Sequence, residues 1–264
     1  MIRFVAVGDL MVDVTAEGKG HKAHITIAAG GSALNAACCA AGLGAEAAVA
    51  GRVGDDAGGR LLLSHFAAHS VRAEIGIDPN APTGTVLIVD GEIRADRGAN
   101  SRYKPEHLPA LEAEVVLVSG HLPEETVAAA LARAQAPWVA LDAARLTTIP
   151  SGVDVVLANE AAARRVTGVG AEVAVRQLAH GRRLACVTLG AEGAVAAWDG
   201  QIHSAAPQST DADVDVSGAG DAFAAALLVE LARGAGVPEA LAVACDTGAA
   251  VARAGGGAAA LAAR

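Results

Sequence analysis

A short stretch near the C-terminal end combines an acidic side chain with glycines. Residues 211–228 read DADVDVSGAGDAFAAALL, so Gly218 and Gly220 precede Asp221 where an apolar, helix-like run begins. Glycines let the backbone approach a ligand, and the free amides and dipole at a helix start suit a phosphate. Asp221 could then accept the proton of an attacking hydroxyl. An acid in a first helical turn is also an ordinary dipole stabiliser, so both interpretations stay open.

A second glycine turn reads VTLGAEGA and contains Thr188, Gly190 and Gly193. We interpret it as a hairpin between strands Ala185–Thr188 and Ala194–Trp198, whose loop could cover nucleotide phosphates or ribose. The sequence has no G-x-x-x-x-G-K-[ST] pattern, which argues against P-loop chemistry. Its glycine turns also lack the complete fingerprint of dinucleotide-binding proteins.

A third turn, GGSALNAA, opens a predicted helix with two glycines and places Asn35 about one turn inside it. Asparagine is a poor residue for a helix interior. Its side chain either faces solvent or serves as a paired donor and acceptor for sugar hydroxyls, and the pattern leaves both possibilities open.

The elements that must position these turns alternate along the chain. Short apolar runs predict strands at Phe4–Val7, Ala47–Val53, Thr85–Val89, Val115–Val118, Trp138–Leu141, Val153–Leu157, Ala185–Thr188 and Ala194–Trp198. Alanine-rich runs predict helices at Ser32–Ala41, Gly58–His69, Glu124–Ala134, Glu160–Val166, Val173–His180, Gly218–Arg233 and Pro238–Ala254. This alternation predicts a mostly parallel sheet covered by helices, with ligands beyond the carboxyl ends of its strands.

Two segments, VTAEGKGHKAHITI and TVLIVDGEIRADR, alternate polar and apolar residues instead. They carry turn signals at Glu17-Gly18 and Asp90-Gly91. Half-exposed strands of a small accessory sheet or flap would have this pattern.

Bulk composition limits the class of protein. The length of 264 residues and the 53% hydrophobic content suit one large α/β domain. A net charge of −9 argues against a nucleic-acid surface, and the absence of a long apolar run argues against a membrane span. The start MIRFVAVGDLMVDV reads as a strand, not as a signal peptide, so we expect a cytoplasmic protein. We expect reduced cysteines that are buried as small hydrophobic side chains in a reducing compartment; they are Cys38, Cys39, Cys186 and Cys245.

On these motifs the chain resembles the ribokinase-like sugar kinases, the PfkB carbohydrate kinase family. The N-terminal likeness is GGSALN at residues 30–35, followed by Gly44 and Gly54, and the C-terminal likeness is DVSGAGDAFAAALL at residues 215–228. The likeness covers nearly the whole chain. It implies a three-layer α/β sandwich over residues 1–264, with a mostly parallel central sheet and a small β lid at about 13–29 and 84–98.

The resemblance also implies a division of labour among site residues. Asp221 corresponds to the general base, and Gly218, Ala219 and Gly220 correspond to the anion hole for the γ-phosphate. The implied cofactors are ATP and Mg²⁺, with K⁺ as the monovalent ion of the family. That ion would lie at Asp215 and Ser217. The implied nucleotide-binding residues are Asn159, Thr188, Gly190 and Gly193, and the implied substrate contacts are Asp13, Gly31, Asn35, His121 and Asn100.

The sequence departs from the family at two places. The usual N-x-x-E motif reads Asn159-Glu160-Ala161-Ala162 here, so alanine occupies the position of the glutamate that helps to place Mg²⁺. We therefore expect weaker Mg²⁺ dependence or a rearranged metal shell. The lid segment between Asp13 and Gly30 is also short, so we expect a reduced lid that leaves the site more open or the chain monomeric. The resemblance also allows dimer contacts through the lid, so a monomer and a homodimer both stay open.

The resulting hypothesis is an ATP-dependent kinase acting on a hydroxyl of a sugar or sugar-like molecule. A nucleoside kinase of the same fold, a regulator that has lost catalysis and a dinucleotide-binding oxidoreductase are the alternatives. With few aromatic residues to stack a base, the sequence favours a sugar or sugar acid. We expect either a substrate carboxylate or solvent to surround the three arginines near the predicted lid, Arg94, Arg97 and Arg102.

Overall fold

A computed structural model describes residues 1–89, 92–209 and 218–254. Its main sheet has nine strands in the order β13-β12-β11-β10-β9-β8-β1-β4-β5. Neighbours from β5 to β11 pair in parallel, whereas β12 and β13 are antiparallel additions. The strands are β1 Arg3–Val7, β4 Glu46–Gly54, β5 Arg72–Asp78, β8 Val115–Ser119, β9 Trp138–Asp142, β10 Val155–Asn159, β11 Leu184–Thr188, β12 Ala194–Trp198 and β13 Gln201–Ala205.

Helices cover both faces of this sheet. They are α1 Ser32–Gly42, α2 Ala57–Ala68, α3 Glu124–Arg133, α4 Glu160–Thr167, α5 Ala171–Ala179, α6 Ala219–Arg233 and α7 Val237–Arg253. Successive strand residues point to opposite faces, so Phe4 belongs to the core layer with α1, α2, α6 and α7, while Val5 belongs to the core layer with α3, α4 and α5. This three-layer α/β/α sandwich with a mostly parallel sheet confirms the predicted fold class.

A second sheet of four strands lies apart from the main one, in the order β3-β2-β6-β7. Its strands are β2 Met11–Glu17, β3 His24–Gly30, β6 Gly84–Val89 and β7 Glu92–Asp96. These are the segments whose polar and apolar residues alternate, and the first turn contains Gly18 at φ 86°. The sheet leaves Ile25, Ile27 and Ile93 exposed.

Two strands of the main sheet, β5 and β13, were not predicted from the sequence. Their sequences, RAEIGID and QIHSA, lack the continuous apolar run of a central strand. Both lie at an edge of the sheet, where one side of the strand has no neighbour and polar side chains are tolerated. Val153 was predicted to open a strand, but β10 begins two residues later at Val155.

All four cysteines are reduced and buried, as the composition predicted. Burial raises the pKa of Cys38 and of Cys39 to about 12, so both thiols behave as small hydrophobes. Among the described residues, no helix has the length and apolarity needed to cross a membrane.

Candidate active site

Polar side chains gather at the carboxyl edge of the main sheet. Asp9 follows β1, Ser119 and Asp142 end β8 and β9, and Asn159 and Thr188 end β10 and β11. Parallel strands present these ends at the same edge of the sheet, where loops enter helices. Side chains that are far apart in the sequence therefore meet in one region.

Helix α6 begins at this edge with a left-handed cap. Gly218 has φ 75°, and its carbonyl oxygen accepts the amide of Ala222 at 2.9 Å. The amides of Ala219, Gly220 and Asp221 precede that bond, so they have no partner within the helix. A left-handed residue favours glycine, and the free amides form a concentrated set of donors for an anion.

Two cavities meet at the start of α6. The smaller one, about 240 Å³, is lined by Ser32, His121, Asp142 and Asp221 among others, and we call it the acceptor cavity after the ligand that the sequence resemblance predicts there. The larger one, about 600 Å³, extends along the β11–β12 turn and α7, and on the same expectation we call it the nucleotide cavity. Both are lined by Gly220 and by Asn159, Thr188 and Phe223.

Asp221 lies in the wall of the acceptor cavity and bonds to a residue of α1. Asn35 Nδ2 donates to Asp221 Oδ2 at 2.9 Å, across 186 positions of sequence. Burial raises the pKa of the Asp221 carboxyl well above its usual range, the Asn35 bond opposes this rise, and the charges of Asp142, Asp9 and Asp13 add to it. Asp221 is therefore a stronger base than an ordinary aspartate once it is ionised.

Asn35 points inward, which overturns the solvent-facing interpretation. The residue is only 7% exposed, and its Oδ1 has no hydrogen-bond partner in the described part of the chain. A buried amide oxygen without a partner is costly, and a ligand hydroxyl could satisfy it. Asn35 thus combines a donor committed to Asp221 with an acceptor that is still open.

The turn into α1 depends on glycine. Gly31 caps the helix at φ 102° and accepts the amide of Asn35 at 3.0 Å. A Cβ at Gly31 would collide with the carbonyl oxygen of Asp9, and one at Gly30 would overlap the carboxyl group of Asp13. The two glycines therefore allow the β1–β2 turn and the Asp13 side chain to pack against the start of α1.

A carboxylate that the sequence motifs did not reveal organises the same corner. Asp9 is buried, and its Oδ1 accepts Ser32 Oγ at 2.5 Å and Ser119 Oγ at 3.4 Å. The Ser32 hydroxyl is also 2.9 Å from that of Ser119. This network joins the β1 end, the start of α1 and the end of β8.

His121, a predicted substrate contact, lines the acceptor cavity and is held by an arginine that directly follows β7. Arg97 Nη2 donates to the His121 carbonyl oxygen at 2.6 Å. Arg97 Nη1 lies 3.9 Å from Asp9 Oδ2, a long ion pair. The two other arginines near the second sheet lie elsewhere: Arg94 pairs with exposed Glu92, and Arg102 pairs with Asp78.

The prediction that Asn100 contacts substrate is wrong. Its side chain is completely buried, and Oδ1 accepts the Leu10 amide at 2.9 Å while Nδ2 donates to the Leu10 and Arg97 carbonyl oxygens. Both polar atoms of the amide are thus committed to neighbouring backbone. Asn100 therefore fastens the β7–β8 connection to the β1–β2 turn.

The predicted nucleotide-binding residues all line the larger cavity. Thr188 ends β11, Gly190 has φ 62°, and Gly193 has φ 92°. A Cβ at Gly193 would collide with the carbonyl oxygen of Ala205, so the turn requires glycine there. The predicted β11–β12 hairpin is confirmed by antiparallel pairing from Thr188–Ala194 to Leu184–Trp198.

The metal-binding predictions have different outcomes. Asp215 and Ser217 lie outside the described residues. Ala162, the position of the missing glutamate, is buried in the core and lines neither cavity, whereas Glu160 lines the nucleotide cavity. No group of three or more His, Cys, Asp or Glu side chains that could hold a metal occurs in residues 1–89, 92–209 and 218–254.

Asp142 is a carboxylate in the wall of the acceptor cavity that could contribute one metal ligand, and it too was absent from the sequence-based candidates. It ends β9 and lines the acceptor cavity with Asn159, whose Oδ1 also caps α4 by accepting the Ala162 amide at 2.8 Å. Burial raises the pKa of Asp142, and the nearby His121 opposes the rise. A polar residue at the end of an otherwise apolar strand was the signal that could have identified Asp142 and Asp9.

The whole chain, residues 1–264, matches the family described as pfkB family carbohydrate kinase. The bifunctional protein HldE of Caulobacter vibrioides is 31% identical over 237 residues, which is 80% of this chain and 49% of that protein. Adenosine kinase of Schizosaccharomyces pombe is 27% identical over 71% of this chain and 68% of its own length. A ribokinase of Bacillus subtilis is 38% identical, over 37% of each chain. The chain thus spans between about a third and two thirds of the length of these curated relatives.

Solved structures of the fold agree with this assignment. Ribokinase of Arabidopsis thaliana, complexed with ribose and ATP, has a TM-score of 0.82 at 25% identity and covers 98% of this chain and 95% of its own. Ribokinase of Thermotoga maritima reaches a TM-score of 0.86 at 22% identity, over 98% of this chain and 96% of its own. With the family match over its full length and this shared fold, the chain belongs to the pfkB family of carbohydrate kinases.

Proposed function

We propose that the protein is an ATP-dependent kinase that phosphorylates a hydroxyl of a sugar or sugar-like small molecule. The observation that carries this proposal is the meeting of the two cavities at Gly220, with Asp221 on the acceptor side. A nucleotide in the larger cavity and an alcohol in the smaller one would face each other across the first turn of α6. This arrangement suits direct, in-line transfer of a phosphoryl group.

In this mechanism Asp221 takes the proton of the attacking hydroxyl. Its raised pKa matches the base to the weakly acidic alcohol, and the Asn35 bond holds the carboxyl group in place. The amides of Ala219 and Gly220 donate to the oxygens on which negative charge accumulates. Bare glycine and alanine at these positions leave the backbone accessible to the phosphoryl group.

Acceptor hydroxyls would be held by polar groups around the smaller cavity. His121 and Ser32 line the wall. Asn35 is not a lining residue, but it bonds to Asp221 in that wall, and its Oδ1 has no partner in the described part of the chain. Asp13, in the inner strand β2 of the second sheet, lies over Gly30, and its charge contributes to the raised pKa of Asp221. Closure of that sheet over the acceptor would exclude water from the reaction, which is the function we propose for it as a lid.

Mg²⁺ fits the groups that line the acceptor cavity. It is usually held by one or two carboxylates, water and substrate phosphates, so Asp142 and the Asn159 side chain would supply the protein's share. When bound, the ion would neutralise charge on the phosphates. We retain Asp215 and Ser217 as the proposed K⁺ site, and a cytoplasmic location follows from the same kinase proposal.

A sugar or sugar acid suits the acceptor cavity better than a nucleoside. Phe223 is the one phenylalanine, tyrosine or tryptophan among the described residues that line it, and that side chain is buried. Stacking of a base needs an accessible ring face. The small volume, and the polar side chains of Ser32, His121 and Asp142 in an otherwise largely apolar wall, are instead matched to a compact ligand with a few hydroxyls at fixed places.

A coupled ADP-release assay with ATP, Mg²⁺ and a panel of acceptors tests the proposal. The panel contains ribose, fructose, ketodeoxygluconate and nucleosides, with the Asp221→Asn variant as the matched control. Turnover of a sugar or sugar acid by the parent, and not by the variant, is the expected result. Binding of ATP without turnover of any acceptor would instead identify a sugar- or nucleotide-binding regulator, and turnover of nucleosides alone would identify a nucleoside kinase.

A further inference from the structure

A third cavity adjoins the acceptor cavity. It has a volume of about 280 Å³ and shares His121 with the acceptor cavity. Two guanidinium groups, those of Arg97 and Arg145, line it, and Glu124 is the single carboxylate among the lining residues. We call it the arginine pocket. Its charge is opposite to that of the acceptor cavity, whose wall carries Asp142 and Asp221.

Arg97 is built into the wall of this pocket. Its side chain is 22% exposed, in contrast to 64% for Arg94 on the neighbouring strand β7. Burial lowers the pKa of Arg97, Asp9 opposes that change, and the charge of Arg145 adds to it. Two like charges thus lie near each other, and in the described part of the chain the 3.9 Å contact from Arg97 to Asp9 is the one ion pair that either of them forms. Arg97 retains guanidinium donors beyond the one given to the His121 carbonyl oxygen.

Arg145 lines the same pocket from the turn after β9, three residues beyond Asp142. Ala144 before it has φ 30°, an unusual conformation for a residue with a side chain, and its amide donates to Asp142 Oδ1 at 3.1 Å. Arg145 forms no ion pair with any residue in the described ranges. A turn after β9 therefore presents an uncompensated guanidinium beside the acceptor cavity.

We propose that Arg97 and Arg145 bind a negatively charged substituent of the acceptor, a carboxylate or a phosphate. The protein would then prefer sugar acids or sugar phosphates to neutral sugars. Guanidinium groups match both anions in shape and make charge-assisted hydrogen bonds to them. The carboxylates around Asp221 would repel the same anion, so its charge would also orient the acceptor with a hydroxyl toward the base. This inference rests on the kinase proposal for the identity of the acceptor, but the anion-binding step can be measured separately.

The first measurement is binding without turnover. Calorimetric titrations of the Asp221→Asn chain would use ketodeoxygluconate for the carboxylate, fructose 6-phosphate for the phosphate and fructose as the neutral sugar. We expect one of the two anions to bind at least about ten times more tightly than fructose, since charge-assisted bonds are the strong ones. The anion that binds more tightly identifies the chemical class of the acceptor's charged group. If both anions bind no more tightly than fructose, the proposed function of the pocket is refuted.

The second measurement uses arginine variants in the same titrations. Arg145→Gln should weaken the anion by about 10- to 100-fold, as expected for lost charge-assisted hydrogen bonds, and should change fructose binding much less. Arg97→Gln should act in the same direction. Arg94→Gln is the matched control, because its side chain is exposed and paired with Glu92. A loss of similar size for fructose, or for Arg94→Gln, would contradict the proposal.

Failure of the anion proposal is distinguishable from failure of the kinase proposal. One outcome is ADP release with fructose or ribose that the Arg145→Gln change does not affect, together with no preference for an anion. That outcome would support the kinase proposal and refute the proposed function of the arginine pocket. If an anion binds in an arginine-dependent manner but no acceptor leads to ADP release, the anion site is supported and the kinase proposal is refuted. ADP release from the anionic acceptor, lowered in kcat/KM by the Arg145→Gln change, supports both.

Discussion

Asp221 and Asn35 join the two sequence motifs that suggested a site. The carboxyl group is raised in pKa by burial and by three other aspartates, and one amide bond from Asn35 opposes that rise. This arrangement lowers the free energy of unfolding when the carboxyl group is ionised. It also favours proton transfer, because a base with a raised pKa holds its proton more strongly. The charge of this single side chain can be tested by substitution and by pH.

Replacing Asp221 with Asn should lower kcat/KM by about 100- to 10,000-fold, because general-base catalysis is removed. The dissociation constant for ATP, measured by calorimetry, should remain close to that of the parent. The folded carboxyl binds its proton more tightly than the unfolded one, so stability falls as pH rises above the ordinary aspartate pKa, and the variant escapes this loss. Its melting temperature at pH 7 should therefore equal or exceed the parent's, and an activity loss of only a few-fold would contradict the assignment.

The pH dependence of kcat/KM should report the same group. Activity requires ionised Asp221, so the acidic limb should lie above the pH range of an ordinary aspartate and be lost as pH falls through the raised pKa. Asn35→Ala removes the bond that lowers this pKa, so its limb should move to still higher pH. Asn80→Ala, in a turn outside the cavities, is the control, and a limb unmoved by the Asn35 change would count against the coupling.

At the scale of elements, the starts of α1 and α6 carry the site. Both helices begin with a glycine at positive φ, Gly31 at 102° and Gly218 at 75°. The conformation at Gly31 brings the start of α1 close to other backbone, as its near contact with Asp9 illustrates. The site is therefore sensitive to a single added Cβ at the start of a helix.

Gly31→Ala should destabilise the protein more than Gly168→Ala does. Gly168 ends α4 at φ 78°, and a Cβ added there would have no atom within 4 Å, so its change costs only backbone strain, about 1 kcal/mol. That amount lowers the melting temperature by roughly 2–4 °C in a domain of this size. At Gly31 the same strain adds to a collision with Asp9, so thermal unfolding should show a drop at least about twice as large. Equal decreases in melting temperature for the two variants would mean that the β1–β2 turn shifts readily to accommodate the added Cβ.

At the scale of the whole molecule, three cavities lie in a row at the carboxyl edge of the sheet, and each shares lining residues with the next. The nucleotide and acceptor cavities share Gly220, and the acceptor cavity and arginine pocket share His121. Their charges differ because the acids of the acceptor cavity lie at the end of β9 and in the first turn of α6, whereas the arginines lie on connecting segments. The row is therefore matched, in our proposal, to a phosphate donor, a reacting hydroxyl and an anionic substituent at successive places.

Metal dependence belongs to this scale, because the proposed ligands come from separate strands. Asp142→Asn should raise the Mg²⁺ concentration for half-maximal activity by about tenfold, since one charged ligand is lost. Glu160→Gln, at the mouth of the nucleotide cavity, should have a smaller effect. Titration of Mg²⁺ at saturating ATP distinguishes them, and the reverse order would place the metal beside Glu160 instead.

Local patterns in the sequence were sufficient for the layered fold, for both helix-start motifs and for the β11–β12 hairpin. Each depends on neighbouring residues: apolar runs for buried strands, glycine for positive φ and alternation for the second sheet. The edge strands β5 and β13 escaped because a strand with one free edge does not need an apolar sequence.

The tertiary structure alone decided which polar side chains face one another. Asn35 could have faced solvent and Asn100 could have faced substrate, yet the first bonds to Asp221 and the second is enclosed by the backbone around Leu10. Arg97 meets Arg145 only because the connection after β7 lies beside the end of β9. Strand order and helix packing set these distances, and they result from burial summed over the whole chain. A local stretch of sequence can specify a turn, but not the residue that the turn will face.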